Sequence, residues 1–201
     1  MLKSLRKIVF AALVVALTSS SALACTVVAV GKNATVDGSA IITHNDDSRV
    51  ANSRLYIVPE ADWPEGAKRN VVKDAHGYDG DAQVIGQIPQ VPHTFRYFAS
   101  RYSFMNENGV AIAESTNSVE VTDDRSKNIK QIMGKDAAGM MDAWIIQDIM
   151  LERASTAREA VQIMGKLVEE YGWFDAGETM PLTDGNEVWI IEFYGNKIWA
   201  A

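Results

Sequence analysis

Two short apolar, β-branched runs, Thr26 to Val30 and Ala40 to Thr43, flank a stretch dense in turn formers from Gly31 to Ser39. Runs of this kind on either side of such a stretch predict an antiparallel hairpin, centred near Asn33 to Val36. Antiparallel partners lie equally far from the turn, so the register sets Cys25 opposite roughly His44 to Asn45, with Asp46 and Asp47 just beyond the strand end. Cys25 is the only cysteine in the 201 residues, which excludes an intramolecular disulfide framework.

What precedes Cys25 explains why one cysteine matters. Lys3, Arg6 and Lys7 form a basic head, Ile8 to Leu17 a short apolar run, and Ala22-Leu23-Ala24 a small-x-small site. These features predict a secretory signal peptide over residues 1–24, removed after Ala24, and a secreted or periplasmic product. The apolar run is too short to span a bilayer as a helix. Cleavage would give Cys25 an α-amine of its own beside its thiol, so that one residue supplies both nucleophile and base. Unperturbed, these groups titrate near ~8.5 and ~7.7 to 8.0, close enough to neutral pH for a small shift of either to activate the pair. The competing expectation is a lipoprotein anchored through Cys25. The usual lipobox has Leu three places before the cysteine, whereas Leu23 stands two before and Ala22 three before.

The same residues carry a family resemblance. Cys25-Thr26 with Val30, Asp37-Gly38-Ser39 and Asn45-Asp46-Asp47-Ser48 resemble the start of the cysteine dipeptidases of the N-terminal-nucleophile (Ntn) hydrolase superfamily. Later segments follow in the same order: Asn106 to Ile112, Arg153 to Ala160, and Glu169-Glu170-Tyr171-Gly172 through Gly177-Glu178 to Asn186 to Ile190. The resemblance implies an α+β fold, the four-layer αββα sandwich, with Cys25 at the end of a central strand and short peptides, chiefly dipeptides, as substrates. It also implies an oxyanion amide near Ser115 to Ser118, for which Asn117 is the nearest candidate. Relatives commonly carry Arg where His44 stands, so a charged fork is exchanged for a group mostly neutral at pH 7, which bears on substrate preference. Family members usually run to several hundred residues, so residues 25–201 are expected to form the N-terminal part of the peptidase domain and an incomplete sandwich.

The expected chemistry follows. The Cys25 amine assists loss of the thiol proton, the thiolate attacks a peptide carbonyl, and the resulting thioester is hydrolysed by water. Asp47 is expected to hold the amine, His44 and Asn45 to contact substrate, and backbone N–H groups or Asn117 to stabilise the oxyanion. Each has a plainer role open to it: Asp46 and Asp47 as turn residues, His44 as a salt-bridging strand end, Asn117 as a loop cap. A non-catalytic exported binding module is the alternative to the enzyme.

Charge narrows the partners. Removing the three basic residues of the leader from the chain's 19 leaves 16 against 26 acidic side chains, an excess that argues against nucleic acid and anionic membrane. His44, His76 and His93 lack ligand spacing, so no metal and no cofactor is expected. The oligomeric state is left open, a homo-oligomer included.

The remaining chain reads as strands first, a helix pair next and strands again. Arg54 to Val58 predicts a strand ended by Pro59. From Glu60 to Pro92 the prolines Pro64, Pro89 and Pro92, with Pro59 just before them, and four glycines interrupt every long periodicity and predict mostly loop, part of it bordering the substrate cleft; Asp79-Gly80-Asp81 reads as a solvated turn. Phe95 to Met105 and Val110 to Glu114 predict a second hairpin turning at Asn108-Gly109, its aromatics packing between sheet and helices, with the lining of a pocket as the alternative. Val119 to Lys130 reads as a surface connection. Helices are predicted over about Ala137 to Ala154, with Asp142, Gln147 and Glu152 outward, and from a Thr156/Glu159 capping box to Gly172. Strands at Met180 to Thr183, Val188 to Phe193 and Ile198 to Ala200 follow, with Glu187 and Glu192 facing solvent.

Overall fold

The computed structural model describes residues 25–46, 54–73, 75, 81–117 and 138–201. The predicted leader, Asp47, the Asp79-Gly80 part of the predicted turn, His76 and the predicted surface connection lie outside the described residues.

Fourteen strands and two α-helices are described: β1 (Thr26–Val30), β2 (Ile41–Asn45), β3 (Tyr56–Val58), β4 (Ala61–Asp62), β5 (Lys68–Lys73), β6 (Gln83–Pro89), β7 (His93–Thr94), β8 (Tyr97–Ala99), β9 (Met105–Asn106), β10 (Ala111–Ile112), β11 (Ser115–Asn117), α1 (Ala143–Arg153), α2 (Ala157–Tyr171), β12 (Gly177–Thr183), β13 (Val188–Phe193) and β14 (Trp199–Ala200). The largest sheet runs β14-β13-β12-β10-β9-β8-β3, with β11 also paired to β12. The α+β expectation is met.

β12 organises this sheet, because β13 takes one side of it and β10 and β11 take the other. β10 and β11 share one register: Ala111 faces Thr183, and Ser115 faces Thr179. The break between them falls opposite Pro181. Ala113 N–H donates to the Pro181 carbonyl at 3.0 Å, but proline has no N–H to complete the rung. One face of β12 and β13 carries Met180, Leu182, Ile191 and Phe193, which pack with Val161, Met164 and Val168 of α2 in the core. Strand alternation turns Ser115 and Thr179 to the other face, where the β1–β2 hairpin lies. Helices, large sheet and hairpin therefore succeed one another; a fourth layer is not found among the described residues.

The first hairpin matches its expected register within a residue, pairing Thr26 with Asn45 and Val30 with Ile41. The capping box also forms: Glu159 N–H donates to Thr156 Oγ1 at 3.1 Å, and the Glu159 carboxylate reaches back to Ser155 N at 2.8 Å. Gly172, at φ 73°, ends α2 as glycine alone does cheaply. Trp173 then stacks on Phe193 with ring centroids 4.6 Å apart.

Three expectations are overturned. The stretch from Glu60 to Pro92 is not mostly loop: β5 and β6 form a hairpin with a bulge between Val71 and Val72, and β4 pairs with β7. Its prolines sit at turns and strand ends, and Gly86, inside β6, gives room to Met140, whose Sδ would lie 2.3 Å from a Cβ there. Secondly, α1 starts at Ala143, later than the periodicity suggested, because the Asp142 carboxylate caps it by accepting from Ile145 N at 2.8 Å. Asp142, Gln147 and Glu152 do not face outward but are buried. Glu152 tolerates burial because Arg69 of β5 pairs with it in a fork, Nε to Oε2 at 2.9 Å and Nη2 to Oε1 at 2.8 Å. Thirdly, Phe95 to Met105 is not one strand. It folds back between β8 and β9, stacking Phe98 on Phe104 at 5.7 Å.

Candidate active site

Strand alternation in the β1–β2 hairpin separates an exposed face, Thr26, Val28, Thr43 and Asn45, from a half-buried one, Val27, Ala29, Ile42, His44 and Asp46. Cys25, half-buried, continues the inner face, and the register carried one step past the Thr26–Asn45 pair sets Asp46 across from it. Two hydrogen bonds hold this end of the hairpin. Thr26 N–H donates to Asn45 Oδ1 at 2.7 Å, and Ser115 Oγ donates to the Cys25 carbonyl at 3.0 Å. The second bond ties the cysteine to the large sheet across 90 residues of sequence.

His44 is anchored from below. Its Nδ1 lies 2.7 Å from the Glu114 backbone carbonyl, which can only accept, so Nδ1 carries the proton. The Glu114 carboxyl approaches the same nitrogen at 3.6 Å, and Tyr102 meets the imidazole edge-on at 5.4 Å. Asp46 accepts from Arg101 Nη1 at 2.6 Å, with both side chains largely buried, and the Arg101 guanidinium lies over the Tyr102 ring at 5.3 Å. Tyr102 stacks in turn on Trp144 of α1 at 5.6 Å.

His44, Asp46, Arg101 and Tyr102 line a cavity of about 480 Å³ between β2 and the segments 100–105 and 111–113. Its walls are mainly apolar, Ile42, Phe104 and Ile112 among them, while His44, Asp46 and Arg101 supply polar groups. Apolar walls with a few convergent polar groups suit a small organic ligand. Of the aromatics expected to pack in the core, Tyr97 does so, whereas Tyr102 and Phe104 border this space.

The structure thus brings together Cys25, His44 and Asn45 at one end of the hairpin. Asn117 lies apart from the cavity lining, on β11 opposite Gly177, and its Nδ2 donates to Thr179 Oγ1 at 2.9 Å. Gly177 makes room for it, since a Cβ there would stand 2.0 Å from Asn117 Oδ1. Among the described residues no group of three or more His, Cys, Asp or Glu is placed to hold a metal. No described helix is long and apolar enough to cross a membrane.

Sequence reasoning missed Arg101, Ser115, Glu114 and Glu178. The two glutamates are buried and, by the shared register of β11 and β12, are diagonal neighbours on one face. Burial, and then the neighbouring Glu114 charge, push the Glu178 carboxyl up to about 10; burial raises Glu114 as well. One signal was present: Glu114 ends the apolar run Val110 to Ala113, where a charge inside the fold needs a partner.

The sequence of this chain is similar to several bacterial proteins over nearly all of its length. A "Probable dipeptidase B" of Lactococcus lactis subsp. lactis is 29% identical over 184 residues, covering 88% of this chain and 36% of that protein. A "Probable dipeptidase" of Latilactobacillus sakei is 28% identical over 192 residues, and a "Dipeptidase" of Bifidobacterium longum 26% over 198, each covering 89% of this chain and 36% and 35% of the relative. The chain therefore spans about a third of the length of these relatives. The model of Peptidase family C69 matches residues 24–201, and with the inward-facing Cys25 at the head of β1 the chain belongs to that family.

Proposed function

We propose that this chain is a cysteine peptidase that hydrolyses dipeptides or short peptides, with Cys25 as nucleophile. The observation that carries the reading is the position of Cys25, at the head of β1 with its carbonyl held by Ser115, on the same inner face of the hairpin as His44 and Asp46, which line the cavity. The dipeptidases it resembles supply the substrate class.

In this reading export removes residues 1–24 and gives Cys25 an α-amine, so release and activation coincide, outside the cytoplasm or in the periplasm. The amine takes the thiol proton, and the thiolate attacks the scissile carbonyl. The tetrahedral intermediate collapses with proton transfer from the ammonium to the leaving amine, and water hydrolyses the thioester. Asp47 fixes the amine. Backbone N–H groups or Asn117 bear on the oxyanion, Asn45 closes the strand end, and His44 faces substrate. The hairpin and large sheet are the two inner layers of an Ntn sandwich, α1 and α2 an outer one.

The test is intact mass and N-terminal sequencing of the exported chain, then dipeptide hydrolysis by the parent, Cys25→Ala and Cys25→Ser. A start at unmodified Cys25, hydrolysis by the parent and its loss in both variants with unchanged melting temperature are expected. Full activity in both variants would place the nucleophile elsewhere. A lipidated Cys25, or a parent that binds peptides without cleaving them, would favour an anchored or non-catalytic binding module.

A further inference from the structure

The cavity accounts for the inner face of the hairpin but leaves the buried carboxyls beneath it without a task. Glu114 is 0% and Glu178 3% exposed. Thr116 Oγ1 donates to Glu178 Oε1 at 3.0 Å, yet among the described residues no N–H or hydroxyl donor reaches either carboxyl oxygen of Glu114 or Oε2 of Glu178. Two ionised carboxylates cannot abut in so dry a place, whereas one proton between them converts the repulsion into a hydrogen bond.

We propose that Glu114 and Glu178 hold one proton between them and act together as positioning residues for Cys25 and His44. The proposal rests on Cys25 being the reactive residue.

The surroundings assign the proton to one side. Toward Glu114 face His44 of β2, Asp46 just after it, and Arg101 and Tyr102 of the segment before β9; His44 and Arg101 favour its charged form, and Asp46 opposes it. Toward Glu178 face the carboxyls of Glu114 and Asp175, which oppose its charged form, and Thr116. The charge therefore settles on Glu114 and the proton on Glu178, whose carboxyl is pushed up to about 10.

Two short connections lead from this pair to the site. The backbone carbonyl of Glu114 takes the Nδ1 proton of His44, which leaves Nε2 as the imidazole's second polar atom. The next residue, Ser115, holds the Cys25 carbonyl. Since Thr116 pairs with Glu178 across the β11–β12 ladder, the carboxyl hydrogen bond closes the strand at the point from which both anchors project. Loss of the shared proton sets two like charges against each other there and pushes β11 from β12, moving both anchors at once.

The experiment uses the full chain, with two readouts that need no substrate: infrared difference spectra for a protonated carboxyl, and the pH profile of Cys25 alkylation by iodoacetamide. The parent should show a buried protonated carboxyl at pH 7 that disappears above pH ~10, and E178Q should lack it. E178Q keeps a donor that cannot ionise, so its alkylation profile should follow the parent near neutral pH and stay regular at high pH. E178A should change the alkylation rate at pH 7 about tenfold with the fold retained by circular dichroism, an effect of about 1.4 kcal/mol. Absence of the protonated-carboxyl band from the parent overturns the shared proton. An E178A profile that superimposes on the parent overturns the positioning role. Should the parent fail to cleave peptides, the catalytic reading falls while these two readouts still decide the pair.

Discussion

Asn106 offers the sharpest test of how the second hairpin is held. Its side chain is buried and uses all its capacity: Nδ2 donates to the carbonyls of Leu151 at 3.0 Å and Ala154 at 2.8 Å, and Oδ1 accepts from the N–H of Asn108 at 3.1 Å and Val110 at 3.0 Å. One amide thus closes the β9–β10 turn and caps the carbonyl end of α1. Asn106→Asp preserves shape and both accepted bonds but removes both donors, leaving two buried carbonyls facing a carboxylate. At about 1 to 3 kcal/mol for each buried group left unsatisfied, partly offset by stronger bonds from Asn108 and Val110, the loss at pH 7 should be about 2 to 5 kcal/mol. The new carboxyl is destabilised in its charged form, so its folded-state pKa lies above the unfolded value of about 3.9. Its penalty is then greatest above the folded pKa and shrinks as pH falls toward 4, where the protonated acid can donate to one carbonyl. Urea unfolding of parent and variant, compared at pH 7 and at pH 4, reads both effects. A difference under about 1 kcal/mol at pH 7, or one that grows on acidification, would refute the assignment of Asn106 as the link between turn and helix.

Other consequences can be measured on the same material. Thr156→Ala removes the hydroxyl that accepts from Glu159 N, and should cost about 1 kcal/mol in urea unfolding, with dipeptide hydrolysis at 25 °C unchanged. Glu178, raised from 4.5 to about 10, keeps its proton in the folded chain at pH values where the unfolded chain has lost it. Stability should therefore fall as pH rises through that window, by up to about 1.4 kcal/mol per unit for this group, and E178Q should flatten the slope in denaturant titrations at several pH values.

Local patterns were enough for the elements whose stabilising contacts are close in sequence. The β1–β2 register followed from two β-branched runs and a turn, because side-chain alternation and turn length act within about twenty residues. Likewise α2 needed only Thr156, Glu159, one apolar stripe and Gly172. The placement of Cys25 at the end of the hairpin, within a residue of its expected partners His44 and Asn45, was legible for the same reason. What the sequence could not disclose depends on partners far along the chain. Polar residues on α1 look like a solvated face until Arg69 is found on Glu152 and Ser103 on Asp148, the latter at 2.6 Å. The strands between Glu60 and Pro92 owe their existence to pairing across a bulge and to a glycine that admits Met140, neither of which leaves a periodic trace. The cavity arises only where β2 meets the segments 100–105 and 111–113, and the carboxyl pair only where β11 and β12 meet. Identity of residues was written in the chain, but the desolvation that gives Glu114 and Glu178 their chemistry, and the reach of Ser115 to Cys25, exist only once distant strands have packed.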